Sequence, residues 1–247
     1  MTRVRPFVLP QGTLFEGPHV LPPDVGRYLR DVLRLRVGAK VRATDGAGRS
    51  AEGIVDKIER QMVTVVFGPC HVAPPPRGPV ISLIQAVGKN DKMDTVIRQT
   101  VELGVRRITP VVTERTVGRR ETRTRWLQIA EDAMRVSGRI WRPTIDPVRS
   151  LASVLSDKRS GAAFVLALGA SASLAEHLGH LAPRASVELL VGPEGGLSSD
   201  EVAMAEQSGF LTAHLGANAL RTETAGPAVV AVAVALLDGW EPAPVSG

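Results

Sequence analysis

The second part of the chain alternates short apolar runs with segments of helical periodicity. Apolar runs at 79–87, 108–113, 162–169 and 187–192 predict strands, and a shorter strand is predicted at 212–216. Between these runs, apolar residues recur every three or four positions, which predicts helices. This alternation predicts an α/β domain with a mostly parallel sheet and helices on both of its faces.

The predicted helices carry start and stop signals. Asn90 or Asp91 is expected to cap one helix and Gly104 to end it, while Ser198 and Glu201 have the spacing of a capping box. The buried stripe of the first of these helices is predicted to be Met93, Val96, Ile97 and Leu103. Further helices are predicted over 124–138, 173–181 and the Ala/Val-rich end of the chain.

The first part of the chain has a different pattern, in which turns and short alternating runs dominate. An Asp-Gly turn follows an alternating strand in 40–48, and apolar residues at helical spacing predict one helix over 24–35. We therefore predict a small β-rich, barrel-like module over residues 1–72. The three consecutive prolines within 73–79 predict a stiff linker, and residues 80–247 are expected to form the α/β domain.

Composition excludes several classes of protein. The longest apolar run, at 228–237, is too short to cross a membrane, and the N-terminal segment lacks the apolar core of a signal peptide. Cys70 is the only cysteine, so neither an intrachain disulfide nor a cysteine-based zinc site is predicted. The five histidines show no metal-binding spacing with carboxylates, and no metal site is expected. A reducing, cytoplasmic location is predicted.

Charge is distributed unevenly along the chain. Basic residues, mostly arginines, are concentrated in residues 1–142, whereas residues 143–247 carry an excess of Asp and Glu. Arginine suits phosphate contacts and stacking on bases, so this asymmetry favours a nucleic-acid partner. A GC-rich genome that favours arginine, with a solvated surface, is the alternative explanation.

Three predicted strands end in glycine-containing loops, at 166–171, 191–198 and 214–226. Ligands of open parallel sheets bind beyond such strand ends, and glycines let the backbone approach a flat ligand. None of the loops has a G-x-G-x-x-G pattern or a phosphate-binding lysine. A nucleoside with little phosphate is therefore expected, and S-adenosylmethionine is such a ligand. Each loop taken singly also fits an ordinary strand-to-helix turn.

These loops carry a resemblance to a known family. GPEGGLSSDE at 192–201 and LGANALRTETA at 215–225 resemble the two C-terminal signatures of the RsmE family of SPOUT methyltransferases, which methylate uridine N3 in 16S ribosomal RNA. Further matching segments lie at 32–38, 89–105, 114–116 and 137–143. The resemblance implies a PUA-like N-terminal domain, an α/β C-terminal domain with a deep trefoil knot, and a homodimer.

The resemblance also implies which residues bind and act. For S-adenosylmethionine, it implies contacts with Leu168, Gly169, Val191, Gly192, Pro193, Glu194, Gly195, Gly196, Leu215, Gly216, Leu220, Arg221, Thr222, Thr224 and Ala225. The charged candidates for catalysis are Arg221, Glu194, Glu223 and Arg139. Arg221 is expected to hold the uracil oxygens or a phosphate. Either glutamate is a candidate base, or else caps a helix or pairs with an arginine.

Other arginines are candidates for the dimer interface and for RNA. Arg139 is expected to reach the site from the partner subunit, with a surface salt bridge as the alternative. In the N-terminal module, the candidates for RNA contact are Arg3, Arg5, Arg30 and Arg34. The basic segment 115–125 is a further candidate. The family often has His-His-Leu where this chain has Gly26, Arg27 and Tyr28, so no histidine contact is expected there.

These expectations define one function and three alternatives. The predicted function is S-adenosylmethionine-dependent methylation of uridine N3 in 16S ribosomal RNA, free or within the 30S subunit, by a homodimer. A methyltransferase with another target atom, such as a ribose 2′-hydroxyl, is the first alternative. A nucleotide- or NAD-dependent oxidoreductase is the second, and the missing G-x-G-x-x-G argues against it. A non-catalytic RNA-binding protein is the third.

Overall fold

The computed structural model describes residues 6–60, 62–89, 91–117 and 123–237. The chain forms two compact units, one made of residues 1–76 and 131–142 and the other of residues 77–130 and 143–247. Arg3, Arg5 and Asn90, which the sequence analysis singled out, lie outside the described residues.

The first unit is built on a mostly antiparallel sheet. Its strand order is β1–β3–β4–β5–β2, and β6 pairs with β4. The strands are β1 (Pro6–Val8), β2 (Gly17–Val20), β3 (Lys40–Thr44), β4 (Arg49–Ile58), β5 (Val63–Phe67) and β6 (His71–Val72). Only the β1–β3 pair among these is parallel. Alternate residues of β4 and β5 point inward onto a core that includes Phe7 and Phe67.

The helix predicted over 24–35 is shorter and less regular than expected. α1 (Pro23–Arg27) runs directly into a π-helical turn (Tyr28–Val32). A π turn contains more residues per turn than an α-helix, so the apolar stripe rotates off the buried face at this point. Val32 and Leu33 are therefore 66% and 41% exposed, although their spacing predicted burial.

The second unit contains a parallel sheet with the strand order β10–β8–β7–β12–β11–β13, in which β9 also pairs with β8. Its strands are β7 (Ile81–Ala86), β8 (Arg107–Val112), β9 (Thr144–Ile145), β10 (Arg149–Ser150), β11 (Ala162–Leu166), β12 (Val187–Val191) and β13 (Phe210–Ala213). The predicted α/β class with a parallel sheet is confirmed. The predicted strand at 212–216 begins and ends earlier, because Phe210 is buried and the chain turns at His214.

The helices around this sheet agree with most of the predicted boundaries. They are α2 (Lys92–Leu103), α3 (Arg123–Ser137), α4 (Leu151–Leu155), α5 (Leu174–Gly179), α6 (Ser199–Gln207) and α7 (Thr222–Leu236). Gly104 ends α2 with φ 105°, as expected of a left-handed C-cap. Asp91 occupies the N-cap of α2 but makes no side-chain cap bond. Leu103 is half-buried, whereas the other members of its predicted stripe are buried.

The capping box predicted at the start of α6 is confirmed. The Ser198 hydroxyl accepts from the N–H of Glu201, whose carboxylate in turn accepts from the N–H of Ser198. Both residues are buried. This pair fixes the angle at which the chain leaves the glycine loop after β12. None of the helices within the described ranges is long and apolar enough to span a membrane.

Gly226 in α7 allows a close approach between α7 and β7. A Cβ atom added there would lie 2.5 Å from Oε1 of Gln85 and 3.2 Å from Cγ1 of Val96. Gln85 is only 1% exposed, and its amide nitrogen donates to Thr222 and Ala86, so the side chain cannot move without losing these bonds. The glycine is therefore required by packing.

We expect Gly226→Ala to destabilise the protein by about 1–2 kcal/mol, since overpacking outweighs the gain in helix propensity. Gly179→Ala in α5 is the matched control, because a Cβ there meets no atom within 4 Å. This control should stabilise the protein by about 0.5 kcal/mol. Urea unfolding of both variants measures the difference, and equal effects would contradict the packing argument.

Candidate active site

The carboxyl ends of the parallel strands β7, β8, β11, β12 and β13 place five loops along one edge of the sheet. β12 lies between β7 and β11, so the loop after β12 has neighbours on both sides. Sheets of this kind bind ligands at such an edge, where the strand order switches. The loop after β12 is residues 192–198, which we call the GPEGG loop after its first five residues. It is the centre of the site described below.

Three loops present open glycine backbone at this edge. Gly169, Gly196 and Gly216 follow β11, β12 and β13 and have φ angles of 85°, 70° and 135°. All three are exposed, and a Cβ added at any of them would meet no atom within 4 Å. Left-handed backbone with open space in front of it lets a flat ligand approach the main-chain N–H and C=O groups. The three loops therefore fit a nucleoside-type ligand.

The loops after β11 and β13 are joined by main-chain hydrogen bonds. The N–H of Leu174 donates to the carbonyl of His214 at 2.8 Å, and Ala167 donates to Ala213 at 3.1 Å. Ser173 and His214 also form an isolated parallel bridge. These bonds hold together the two loops that carry Leu168, Gly169, Leu215 and Gly216.

A buried hydroxyl joins the GPEGG loop to the start of α7. Thr222 donates to the carbonyl of Gly192 at 2.7 Å and accepts from Nε2 of Gln85 at 2.9 Å. Thr222 is 4% exposed. The sequence analysis missed Gln85, which stands within the apolar run of β7. The one feature of the sequence that could have identified Gln85 is its polar side chain in a strand that is otherwise almost entirely apolar.

Removal of the Thr222 hydroxyl should loosen this junction. In Thr222→Val, the Gly192 carbonyl and one Gln85 amide hydrogen lose buried partners, so we expect a loss of about 2 kcal/mol in unfolding free energy. Binding of S-adenosylmethionine should weaken in parallel. Thr222→Ser keeps the hydroxyl and should retain most of both properties. Urea unfolding and titration calorimetry provide the measurements, and a valine variant as stable as the serine variant would contradict the role of the hydroxyl.

Lys92, at the start of α2, forms ion pairs with two candidate catalytic residues. Its Nζ lies 3.0 Å from Oε1 of Glu194 and 3.4 Å from Oε2 of Glu223. Oε1 of Glu194 also accepts from the main-chain N–H of Lys89 at 2.9 Å. One ammonium thus joins the start of α2, the GPEGG loop and α7, and the Glu194 carboxylate joins the GPEGG loop to the loop after β7. The sequence analysis did not select Lys92, because a lysine at a helix start resembles an ordinary surface residue.

These contacts set the protonation of Glu194. Burial raises the pKa of its carboxyl, but hydrogen bonds from its own N–H, the N–H of Lys89 and the Lys92 ammonium outweigh burial, so the pKa lies below its ordinary value. The hydrogen bond to Glu194 raises the pKa of Lys92. Glu194 is therefore an ionised and weak base. Glu194 thus forms an ion pair, as one of the alternatives predicted, but its partner is a lysine and not the predicted arginine.

A second loop, after β8, also supports the GPEGG loop. Nη1 of Arg115 donates to the carbonyl of Gly195 at 2.8 Å. The N–H of Glu114 donates to Oε1 of Glu201 at 2.8 Å, so the capping carboxylate of α6 also holds this loop. The segment 114–116, which contributed to the family resemblance, thus fixes the position of the GPEGG-loop backbone.

The remaining predicted site residues lie at different places. Arg221 is the exposed N-cap of α7 and is the last residue of the loop after β13. Arg139 is half-buried and belongs to the first unit. Positions along the same sheet edge are occupied by Val191, Pro193, Leu220, Thr224 and Ala225, of which Val191 and Pro193 are buried.

The two described arginines predicted to contact RNA differ in their surroundings. Arg30 binds both carboxylate oxygens of Asp31 and donates to the carbonyls of Glu59 and Arg60. Arg34 is exposed and has a left-handed φ of 51°. Arg34 therefore offers its guanidinium to solvent, whereas Arg30 supports the chain around it.

Over the described ranges, no cluster of three or more His, Cys, Asp or Glu could hold a metal ion.

Comparison with known families defines the class of the protein. The model of an RNA methyltransferase domain matches residues 76–234, and that of an RNA methyltransferase PUA domain matches residues 21–68. The parallel sheet with its glycine loops and the small β-rich unit therefore correspond to the catalytic and PUA domains of an RNA methyltransferase.

Individual relatives define the family more closely. The ribosomal RNA small subunit methyltransferase E of Mycobacterium bovis is 29% identical over 90% of this chain and 88% of its own length. The Aquifex aeolicus protein of the same name is 31% identical over 78% of each chain. The Neisseria gonorrhoeae protein of that name, solved with S-adenosylmethionine, has a TM-score of 0.85 at 28% identity and covers 95% of this chain and 98% of its own. The chain belongs to the RsmE family of RNA methyltransferases.

Proposed function

We propose that this protein transfers the methyl group of S-adenosylmethionine to N3 of a uridine in the 16S RNA of the small ribosomal subunit. The observation that carries this proposal is the set of three open glycine loops beside the Lys92–Glu194–Glu223 cluster. Family membership and the names of the relatives support a ribosomal RNA substrate. Bound S-adenosylmethionine in the Neisseria gonorrhoeae relative supports the cofactor.

The cofactor-binding role falls to the glycine loops and the residues that hold them. Gly169, Gly196 and Gly216 offer open main chain, while Thr222 and Arg115 fix the GPEGG loop. S-adenosylmethionine supplies an electrophilic methyl group and is left as S-adenosylhomocysteine. No phosphate-binding lysine is needed for a ligand of this kind, which agrees with the loop sequences.

Methyl transfer to uracil N3 depends more on stabilising the uracil anion than on a strong base. Uracil N3 carries a proton at neutral pH, and loss of this proton to solvent places negative charge on the two flanking carbonyl oxygens. Arg221 is a cation beside the third glycine loop and forms no ion pair with the other described residues. We assign it the stabilisation of that anion. Both Glu194 and Glu223 contact Lys92, and the lowered pKa of Glu194 leaves that carboxylate poorly suited to accept the proton.

The subunit arrangement, the topology of the chain and the location of the protein are also inferred. We infer a homodimer in which Arg139 of one subunit contributes to the site of the other. We also infer a trefoil knot in the C-terminal part, division of the chain at the 73–79 linker, a cytoplasmic location, and the assembled 30S subunit or its RNA as substrate. The resemblance of the 137–143 and 215–225 segments to the family supports the first two inferences.

A binding experiment tests the cofactor assignment apart from the substrate. Thermal unfolding should shift upward with S-adenosylmethionine and S-adenosylhomocysteine, and should not shift with NAD, because ligands stabilise the folded state they bind. A shift with NAD alone would favour the oxidoreductase. The absence of any shift would favour a non-catalytic RNA-binding protein.

A further inference from the structure

A column of aromatic rings extends from the core of the first unit to its surface. Phe7 and Phe67 have ring centroids 6.2 Å apart within the core. His19 meets Phe67 edge-on at 5.1 Å, and Phe15 lies on His19 at 3.8 Å with a tilt of 41°. Phe15 ends the column and is 54% exposed. An exposed ring is thus supported from beneath by three others.

The ring beneath Phe15 is fixed in place. His19 is 9% exposed, and its Nε2 and Nδ1 lie 3.0 Å and 3.2 Å from the carbonyls of Thr13 and Gly17. These contacts hold the imidazole across the loop that carries Phe15. A ring supported in this way loses little further freedom when a second flat group stacks on it, which favours binding.

Among the described Phe, Tyr and Trp residues, Phe15 is the one with an exposed side chain. Tyr28 and Trp141 of the same unit are half-buried, and Tyr28 already lies under the guanidinium of Arg135. Aromatic rings presented on RNA-binding modules commonly stack on unpaired bases, because every base has a π-face. The first unit is net basic, which suits a nucleic acid.

We propose that Phe15 is a stacking platform for an unpaired base of the substrate RNA, an inference that rests on the proposed RNA substrate. The neighbouring Glu16 is exposed and repels phosphate. The affinity of the surface around Phe15 for RNA therefore comes from stacking and not from charge. The platform would hold a single-stranded or flipped-out nucleotide and would not recognise a continuous duplex.

The test compares three full-length proteins: the wild type, Phe15→Leu and Phe15→Tyr. The leucine keeps an apolar side chain without a ring, and the tyrosine keeps the ring. The probe is a short single-stranded RNA with a central 2-aminopurine, whose fluorescence falls on stacking. Phe15→Leu should weaken binding roughly tenfold and remove the quenching, while Phe15→Tyr should retain both. The salt dependence should be the same for all three, because no phosphate contact is removed.

Several results would contradict the proposal that an RNA base stacks on Phe15. Wild-type affinity in Phe15→Leu, an equal loss for a duplex of the same sequence, or no binding of the probe by the wild type would each do so. If Phe15→Leu lowers methylation of 30S subunits without changing RNA binding, a protein surface occupies Phe15 instead. Calorimetry with S-adenosylmethionine separates this test from the proposed function, since cofactor binding should not depend on Phe15. Thermal unfolding confirms that the variants fold.

Discussion

Arg221→Ala should lower kcat for methyl transfer by about 10²- to 10³-fold, with little change in the affinity for S-adenosylmethionine. Loss of the N3 proton develops charge on the uracil oxygens, and a cation held beside them in the site stabilises the transition state more than the ground state. Removal of one such donor has an effect of this size in other enzymes. This prediction rests on the position of Arg221 at the N-cap of α7, where the loop after β13 ends.

The matched variant for this prediction is Arg221→Lys. It keeps the charge but loses the planar fork of donors, so we expect an intermediate kcat. Single-turnover kinetics with saturating cofactor and 30S subunits separate the chemical step from binding. A kcat within a few-fold of the wild type in the alanine variant would remove Arg221 from the chemistry and return attention to Glu223.

Lys92→Met should lower kcat/KM by about 10- to 100-fold, although Lys92 is not proposed to touch the reacting atoms. Its ammonium bridges Glu194 and Glu223, and without it two neighbouring carboxylates repel each other at the junction of the GPEGG loop and α7. A displacement of about 1 Å in a substrate-positioning loop can cost rate on this scale. The effect should appear mainly in KM for S-adenosylmethionine.

The pH dependence of stability distinguishes loss of the charge bridge in Lys92→Met from a general destabilisation of the fold. Glu194 has a lowered pKa in the folded protein, so its contribution to stability is present above its ordinary value of 4.5 and is lost as pH falls through the folded value. The difference in stability between the wild type and Lys92→Met should therefore be largest at neutral pH and shrink in acid. Lys92→Arg keeps the bridging charge and should resemble the wild type at every pH. A difference that is constant with pH would contradict the charge bridge.

The parts of the fold that follow from local sequence were predicted well. The capping box of Ser198 and Glu201 and the glycine end of α2 depend on short-range chemistry, and both are present. The apolar runs predicted the parallel strands, since strands buried on both faces are apolar throughout. Even so, the helix predicted over 24–35 ends at Val32 and finishes in a π turn, which spacing alone does not reveal.

The supports of the candidate site could not be predicted from the sequence. Gln85 and Thr222 are 137 residues apart, and Lys92 lies far along the chain from both glutamates it joins. Such pairs depend on which strands become neighbours, and the insertion of β12 between β7 and β11 is not visible in any local pattern. The glycine loops were visible because φ restrictions act on single residues.

Methyl transfer to uridine N3 can be tested by identifying the RNA nucleoside that receives the methyl group. Purified protein would be incubated with S-adenosylmethionine carrying a radiolabelled methyl group and with 30S subunits from cells that lack this gene. The 16S RNA would then be digested to nucleosides and separated. If the protein methylates uridine N3, the label will be found in 3-methyluridine. Label in a 2′-O-methylated nucleoside, or RNA without label from protein that still binds the cofactor, would contradict it.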